Sequence, residues 1–549
     1  MLNPYFEDLY INFENNCLIE QPGFSVPIKN AFFGILKLVA PSCDITKDTQ
    51  ELIFVIDRSG SMSDLCSDNR SKMQHIIHTL KNMVLYLKDC NNDVKFYVTI
   101  FVFDNKFSYS LKRTTINNDN IENIIQTIEK IRPLGSTNIE LALTEVKEYI
   151  NELKDMYPHH IISHIFMTDG EATDGNTEHK FLKNLVDDDI NNAFIGFGIN
   201  HDAMLLNNIS AKKYSSYYFI DILEKAGLVY GEVLHGILYR YLCDVKFEIE
   251  NGLIYDFKSN VWTNKLDIGN IVGETNKTYH IISNNPDMCN VIISFNNSSE
   301  ILFVNVPKLI DNKADYTKYL YRQKTLELLF EVSQNQNNIL NVQSNIFSQL
   351  VNDEASSEVI MLSEREKKEK DLKSKLIDLI KDIKKYMETN ELNEDKFLKN
   401  LCDDIYISYK TIGTRYGAMY SCARQTSQGN QRCYTVTQTP INIDEEQGHH
   451  VVSIPKLNYK NVNNYANVNE KANILKLENP SLIHNVSNFI DAPYLTPTAT
   501  RLMRDVSSGG NIFLKNPNET ESGVNVNYTY SSDDDDDNLF TYLTKKKKD

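Results

Sequence analysis

Asp57, Ser59 and Ser61 stand two residues apart, directly after the apolar run Leu52-Ile53-Phe54-Val55-Ile56. Such a run, bounded by a charge and by Gly60, reads as a strand buried on both faces. It delivers one carboxylate and two hydroxyls into the turn that follows. Oxygen donors of this kind suit a hard divalent cation, and magnesium takes about six of them in octahedral geometry. Three donors leave positions to fill, so more are expected downstream. Gly135-Ser136-Thr137-Asn138 offers the Thr137 hydroxyl just ahead of a helical pattern, and Ile165-Phe166-Met167-Thr168 is a second apolar strand that ends in Asp169. The expected metal ligands are therefore Asp57, Ser59, Ser61, Thr137 and Asp169, around Mg2+ or Mn2+.

This set resembles the metal-ion-dependent adhesion site of the von Willebrand factor type A domain, whose pattern is Asp-x-Ser-x-Ser, then a Thr, then an Asp after a later strand. The resemblance implies that Ser59, Ser61 and Thr137 touch the metal, while Asp57 and Asp169 act directly or through water. Further segments, Leu36-Lys37-Leu38-Val39-Ala40-Pro41, Gly231-Glu232-Val233-Leu234-His235-Gly236 and Val272-Gly273-Glu274, are similar to intracellular type A proteins, including plant RING-type ubiquitin ligases and the type A/Hint-associated group. No cysteine and histidine set of RING spacing occurs, so ligase activity does not carry over.

The elements that must position these residues follow from periodicity. Over 50–238 strand and helix patterns alternate, which implies a doubly wound, mostly parallel α/β sheet of Rossmann-like kind. His75 to Leu87 carries helical spacing, and Val94 to Phe103 is a strand. In such sheets ligands gather at the carboxyl ends of the strands where the strand order reverses, and the strands ending at Asp57 and Asp169 are the natural pair for that point. From 240 to 310 the period becomes two, with Val245 to Glu250 alternating strictly before the Asn251-Gly252 turn, and a β-sandwich is expected. The run ending at Pro41, within 24–46, is expected to pair with those later strands, so that the sandwich is split by the inserted α/β domain. Residues 313–435 read as helical, with a stripe of Leu372, Leu376, Ile377, Leu379, Ile380 and Ile383 that suits a small bundle better than a short coiled coil. From 440 to 549 the sequence is polar and asparagine-rich and ends in the like-charge blocks Asp533 to Asp537 and Lys545 to Lys548, the composition of a disordered tail. Within it, Ala492-Pro493-Tyr494-Leu495 with Leu502 and Met503 has the makings of a docking peptide, although a linker with scattered hydrophobes is the plainer reading.

Composition narrows the partners. At 549 residues the chain has room for several domains, and a formal net charge of −17 argues against general binding to nucleic acid or anionic membranes. No apolar run approaches the roughly 20 residues of a membrane span. Met1 to Asp8 lacks a basic region followed by an apolar core, so no secretory leader is expected. Nine scattered cysteines without a Cys-x-x-Cys pair point to reduced thiols and a cytoplasmic protein. The Asn, Ile and Lys bias suggests an AT-rich genome, such as that of a protist or a giant virus. His75 and His78 are spaced as zinc could use them but have no third ligand nearby, His449-His450 has no nucleophile, and Cys422 and Cys433 would pair only under oxidising conditions.

The expected function is a metal-dependent protein–protein interaction module, not an enzyme, in which a divalent cation receives an Asp or Glu from a protein partner. An alternative is a phosphoryl-transfer enzyme of haloacid-dehalogenase-like type, but that chemistry needs a second aspartate two residues after the first, and Ser59 stands there. A second alternative is a metal-free scaffold, against which the retention of all five ligand types speaks.

Overall fold

The structure is a computed structural model and describes residues 4–17, 26–66, 69–90, 94–198, 201–220, 226–297, 300–309, 315–349, 355–412, 417–432 and 494–508. In chain order the strands are β1 (Asp8–Cys17), β2 (Phe32–Val39), β3 (Gln50–Asp57), β4 (Phe96–Phe103), β5 (Phe107–Thr115), β6 (Ile161–Thr168), β7 (Asn191–Phe197), β8 (Ser215–Ile220), β9 (Arg240–Glu250), β10 (Leu253–Asp256), β11 (Val261–Thr263), β12 (Lys265–Val272), β13 (Asn276–Ser283), β14 (Asn290–Asn297) and β15 (Glu300–Asn305). The helices are α1 (Lys72–Asp89), α2 (Ile121–Glu129), α3 (Ile139–Met156), α4 (His179–Leu185), α5 (Ala203–Ser210), α6 (Ala226–Leu238), α7 (Thr317–Gln349), α8 (Ala355–Thr389), α9 (Lys396–Thr411), α10 (Gly417–Asn430) and, last, α11 (Pro497–Ser508).

The α/β domain holds a six-stranded sheet in the order β5-β4-β3-β6-β7-β8, parallel throughout except for the β4–β5 edge hairpin. Every residue of β3 is buried. The reason lies in the two layers that cover it: Leu52, Phe54 and Ile56 face a cluster built with α1, α2 and α6, while Ile53 and Val55 face one built with α3, α4 and α5. A strand covered on both sides needs apolar residues at every position rather than at alternate ones. Because the chain moves from β3 to β4 on one side and later returns to β6 on the other, the strand order reverses between β3 and β6. The loops that leave these two strands part there and open a crevice. Helix α1 begins three residues earlier than its apolar periodicity suggested, because Ser71 and Gln74 form a reciprocal capping box.

Two antiparallel sheets pack beside this domain, one in the order β1-β2-β13-β10-β11 and the other β12-β9-β14-β15. Strand β2 pairs with β13 along its length, from Phe32 opposite Ser283 to Val39 opposite Asn276, and takes no part in the parallel sheet. Leu36, Leu38 and Ile281 from one sheet meet Val245, Phe247, Val291, Ile293 and Phe295 from the other. The α/β domain is thus inserted between β2 and β9, and the sheet that holds β2 is completed by β13 from beyond the insertion. Strand β1, with Leu9, Ile11 and Phe13 alternating, adds an edge that the sequence reading passed over.

In the helical region Leu372, Leu376, Leu379, Ile380 and Ile383 of α8 pack against Leu398, Leu401 and Ile405 of α9 and Leu328 and Val332 of α7. Helix α10 carries Ala418, Met419, Cys422 and Ala423 into the core of the α/β domain. The buried pair Arg424 and Asp404, at 3.1 Å, ties α10 to α9.

One expectation fails. Within the stretch 440–549 expected to be disordered, residues 494–508 are ordered and docked. Helix α11 buries Ala499, Leu502, Met503 and Val506 in the cluster that also holds α1 and α6. Its start is held by Glu274, which accepts from the Thr498 amide and hydroxyl at 2.9 and 2.8 Å, and its end by Asn82, whose amide donates to the Val506 carbonyl at 2.8 Å. Tyr494 receives a hydrogen bond from Arg322 of α7 at 3.0 Å. A short amphipathic helix compensates its ordering entropy by closing an apolar groove, even within a polar segment. His449-His450, Cys433 and the two terminal charge blocks lie outside the described residues.

The contact between α6 and α11 is close enough to require glycine. A Cβ on Gly231 would stand 2.5 Å from the Met503 Cα, and one on Gly227 would stand 2.7 Å from the Ser507 Cα. Gly→Ala in a helix interior normally stabilises by about 1 kcal/mol. Gly231→Ala should therefore lower the melting temperature of the full chain, yet raise it in a chain ending before Tyr494. Thermal unfolding of the four proteins checks this, and the same sign in both backgrounds would contradict the docking of α11.

Candidate metal centre

The crevice between β3 and β6 is built by three loops that hold one another. After Asp57 the chain turns through a short 3-10 segment, Gly60–Ser63, anchored by Met62, whose side chain is fully buried. The Gly60 amide donates to the Gly135 carbonyl at 3.0 Å, and the Leu134 amide to the Arg58 carbonyl at 2.5 Å. Gly135 has φ +80°, and a Cβ there would also strike Asp104 at 2.9 Å, so the turn before Thr137 demands glycine. Asp104 itself is buried, takes an ion pair from Arg58 at 2.8 Å, and offers its carbonyl to the Asn138 amide at 3.1 Å. From the third loop, Thr173 and Asp174 donate their amides to the Thr137 carbonyl at 2.9 and 3.1 Å.

These loops bring together the side chains singled out in the sequence. Ser59 and Ser61 place their Oγ atoms 3.1 Å apart, and the Ser61 hydroxyl donates to Asp169 Oδ1 at 2.7 Å. Asp57 is fixed from two directions: Oδ1 accepts from the Ser59 amide at 2.8 Å, and Oδ2 from the Thr168 hydroxyl at 2.6 Å. A methyl placed on Gly170 would lie 3.4 Å from Thr137 Oγ1 and 4.0 Å from Ser61 Oγ, so those hydroxyls flank the same backbone position. Asp57 and Asp169 are fully buried, and Ser59 and Thr137 nearly so.

The donor set fits a hard cation. Neighbouring ligands of an octahedral ion with bonds of about 2.1 Å are about 3.0 Å apart, close to the Ser59–Ser61 separation of 3.1 Å. Neutral hydroxyls in front of two buried carboxylates match the preference of magnesium and manganese for oxygen. The carboxylates carry the electrostatic tension of the site. Burial pushes the Asp57 carboxyl up to about 6, and the charge of Asp169 pushes it in the same direction, against the hydrogen bonds from Thr168 and Ser59.

Three contributors were not read from the sequence. Thr168 orients Asp57. The Arg58–Asp104 pair braces the first loop against the second. Lys72, the first residue of α1, donates to Asp169 Oδ2 at 2.6 Å and to Asp64 Oδ2 at 3.2 Å. Burial pulls the Lys72 ammonium down, but Asp169 and Asp64 outweigh it and hold its pKa above the ordinary lysine value. A signal for Lys72 did exist: a cation in the first turn opposes the helix dipole, and α1 has no acidic residue there to offset it. His75 is buried in α1 and His78 contacts Asn82 at 3.2 Å; neither joins a metal-like cluster among the described residues.

A family model of the von Willebrand factor type A domain matches residues 51–226. Among curated proteins the chain is 28% identical over 199 residues to mouse (Mus musculus) inter alpha-trypsin inhibitor, heavy chain 4, covering 34% of this chain and 20% of that protein. It is 29% identical over 168 residues to mouse inter-alpha-trypsin inhibitor heavy chain H2, covering 29% and 17%. The chain thus spans about a fifth of the length of these relatives. Similar solved structures include a von Willebrand factor type A protein from Catenulispora acidiphila, with 13% identity, TM-score 0.43, and coverage of 61% of this chain and 84% of that one. Another is the ArnB paralog VWA2 from Sulfolobus acidocaldarius, with 13% identity, TM-score 0.44, and coverage of 77% and 98%. A third is proximal thread matrix protein 1 from the mussel byssus with a zinc-occupied adhesion-site motif, with 19% identity, TM-score 0.29, and coverage of 39% and 51%.

The raised Asp57 pKa fixes the sign of a pH effect. The metal-free fold binds this proton more tightly than the unfolded chain, whose value is 3.8. The resulting stability is present in full below pH 3.8 and is lost as the pH rises through about 6. In EDTA, Asp57→Asn should therefore melt above the wild type at pH 7.5, by the equivalent of a few kcal/mol at most. The difference should vanish near pH 4. A thermal-unfolding series over that range checks it, and a variant less stable than wild type at pH 7.5 would contradict the assigned tension.

Proposed function

Residues 51–226 are a von Willebrand factor type A domain, and from this we propose that the chain is a metal-dependent protein-binding module acting inside the cell. The observation that carries the reading is the convergence of Asp57, Ser59, Ser61, Thr137 and Asp169 at the carboxyl ends of β3 and β6. A divalent cation such as Mg2+ or Mn2+, held by the three hydroxyls with the two carboxylates behind them, supplies a Lewis-acidic position that an Asp or Glu of a protein partner completes. Asp57 keeps its orientation through Thr168 and the Ser59 amide, so it presents charge without needing to rearrange. The rim favours a protein ligand over a small ion alone. Leu134, bonded through its amide to the Arg58 carbonyl, is 62% exposed, and Leu65, just after the first loop, is 69% exposed. Apolar side chains beside a charged contact give a partner area to bury.

Binding rather than catalysis is supported by the position two residues after Asp57, where Ser59 offers a hydroxyl and no carboxyl that could serve as a general acid. An intracellular setting is supported by the cysteines: Cys43, Cys66, Cys90, Cys243, Cys289, Cys402 and Cys422 are all free thiols. No helix among the described residues is long and apolar enough to cross a membrane.

Affinity capture from a lysate with the full chain as bait, in magnesium and in EDTA, tests the reading. A set of proteins retained in magnesium should be lost in EDTA and lost with Asp57→Asn. Thr137→Ala should weaken retention of the same proteins about tenfold, because it deletes a neutral ligand at constant charge. Identical capture under all these conditions would remove the adhesion-site mechanism.

A further inference from the structure

Among the described residues, Lys72 is the one cation paired with Asp57 or Asp169, and neither the ligand pattern nor the fold requires it. Its ammonium lies 2.6 Å from Asp169 Oδ2, on the opposite oxygen from the one that receives the Ser61 hydroxyl. Its side chain is only 13% exposed. Placing lysine at the first position of α1 sets it against the positive end of the helix dipole, a loss of about 0.3–1 kcal/mol unless a carboxylate compensates. The capping at this end is otherwise complete through Ser71 and Gln74, so Lys72 adds nothing to it. The second partner, Asp64 at 3.2 Å, is 41% exposed and lies on the solvent side, where the ammonium can remain paired if it leaves Asp169.

We propose that Lys72 is a built-in counter-cation of the centre: its ammonium neutralises Asp169 in the metal-free protein, and a divalent cation binds in competition with it. The inference rests on reading the site as a metal centre. Its logic is one of charge. Asp57, Asp169 and Lys72 together carry −1, too little to hold a dication as tightly as an uncompensated pair of carboxylates would. With a dication the same group carries +1, which the single carboxylate of a partner brings to zero. Lys72 therefore lowers affinity for the free ion, and it spares the metal-free fold two bare carboxylates side by side. A residue that merely oriented Asp169 would act in the opposite sense, and its loss would weaken metal binding.

The experiment is isothermal calorimetry of Mn2+ and Mg2+ binding to the full chain at pH 7.5, with thermal unfolding in EDTA and in saturating Mg2+. The proteins are wild type, Lys72→Met, and Lys81→Met, which removes the same charge from the exposed side of α1 where Lys81 pairs with Glu129. Lys72→Met should bind both ions about tenfold or more tightly than wild type, since a unit charge this close to a dication is weakly screened. It should melt several degrees lower in EDTA, and the gap should close in saturating Mg2+. Lys81→Met should match the wild type in ion affinity. Unchanged or weaker ion binding by Lys72→Met, or an unaltered melting point in EDTA, overturns the counter-cation role while leaving the metal centre in place. Failure of all three proteins to bind either ion overturns the metal centre and this inference together.

Discussion

Two carboxylates buried side by side are the constraint around which the α/β domain is arranged. Asp57 and Asp169 end neighbouring strands of one parallel sheet, and the register that pairs β3 with β6 fixes their approach. No core tolerates two such charges without compensation. Each is accordingly surrounded by donors, namely the Ser59 amide, the Thr168 and Ser61 hydroxyls and the Lys72 ammonium. That compensation is partial, as the upward displacement of the Asp57 carboxyl records. What remains is an electrostatic demand that a divalent ion would meet.

The rest of the molecule supports that arrangement mechanically. Both faces of the sheet are covered, one by α1, α2 and α6 and the other by α3, α4 and α5, so the strand ends have little freedom. Outside this layer α10 closes over α5, α11 closes over α6, and the chain enters the inserted domain from β2 of one antiparallel sheet and leaves it into β9 of the other. Residues far apart in sequence therefore bear on the loops of the site. Fixing a constellation of small donors depends on this kind of surrounding rigidity more than on the donors themselves.

Much of this was legible in the sequence, for physical reasons. A doubly covered strand must be apolar at every position, which made β3 and β6 visible, and oxygen donors spaced as a hard cation would need them made Asp57, Ser59, Ser61, Thr137 and Asp169, which converge in the fold, stand out. The pairing of the run ending at Pro41 with later strands was legible because the polar residues Thr46 to Thr49 separate that run from β3. Other features depend on proximity in space and leave only faint local traces. Lys72 gains its meaning from a carboxylate nearly a hundred residues away. Helix α11 was half legible: Leu502 and Met503 stood out as part of a docking patch, but the helical spacing of Ala499, Leu502, Met503 and Val506 was averaged away in a long polar stretch whose composition implies disorder. Gly227 and Gly231, which read as poor helix formers in α6, make sense only once Ser507 and Met503 lie against them.

Diffraction from crystals of the full chain soaked in Mn2+, with data collected for the anomalous signal of manganese, is the most direct test of the central claim. The account predicts a strong anomalous peak within bonding distance of Ser59 Oγ, Ser61 Oγ and Thr137 Oγ1, with the Lys72 ammonium withdrawn from Asp169 toward Asp64. A peak elsewhere, or none at the crevice between β3 and β6 while Lys72 stays on Asp169, would contradict it.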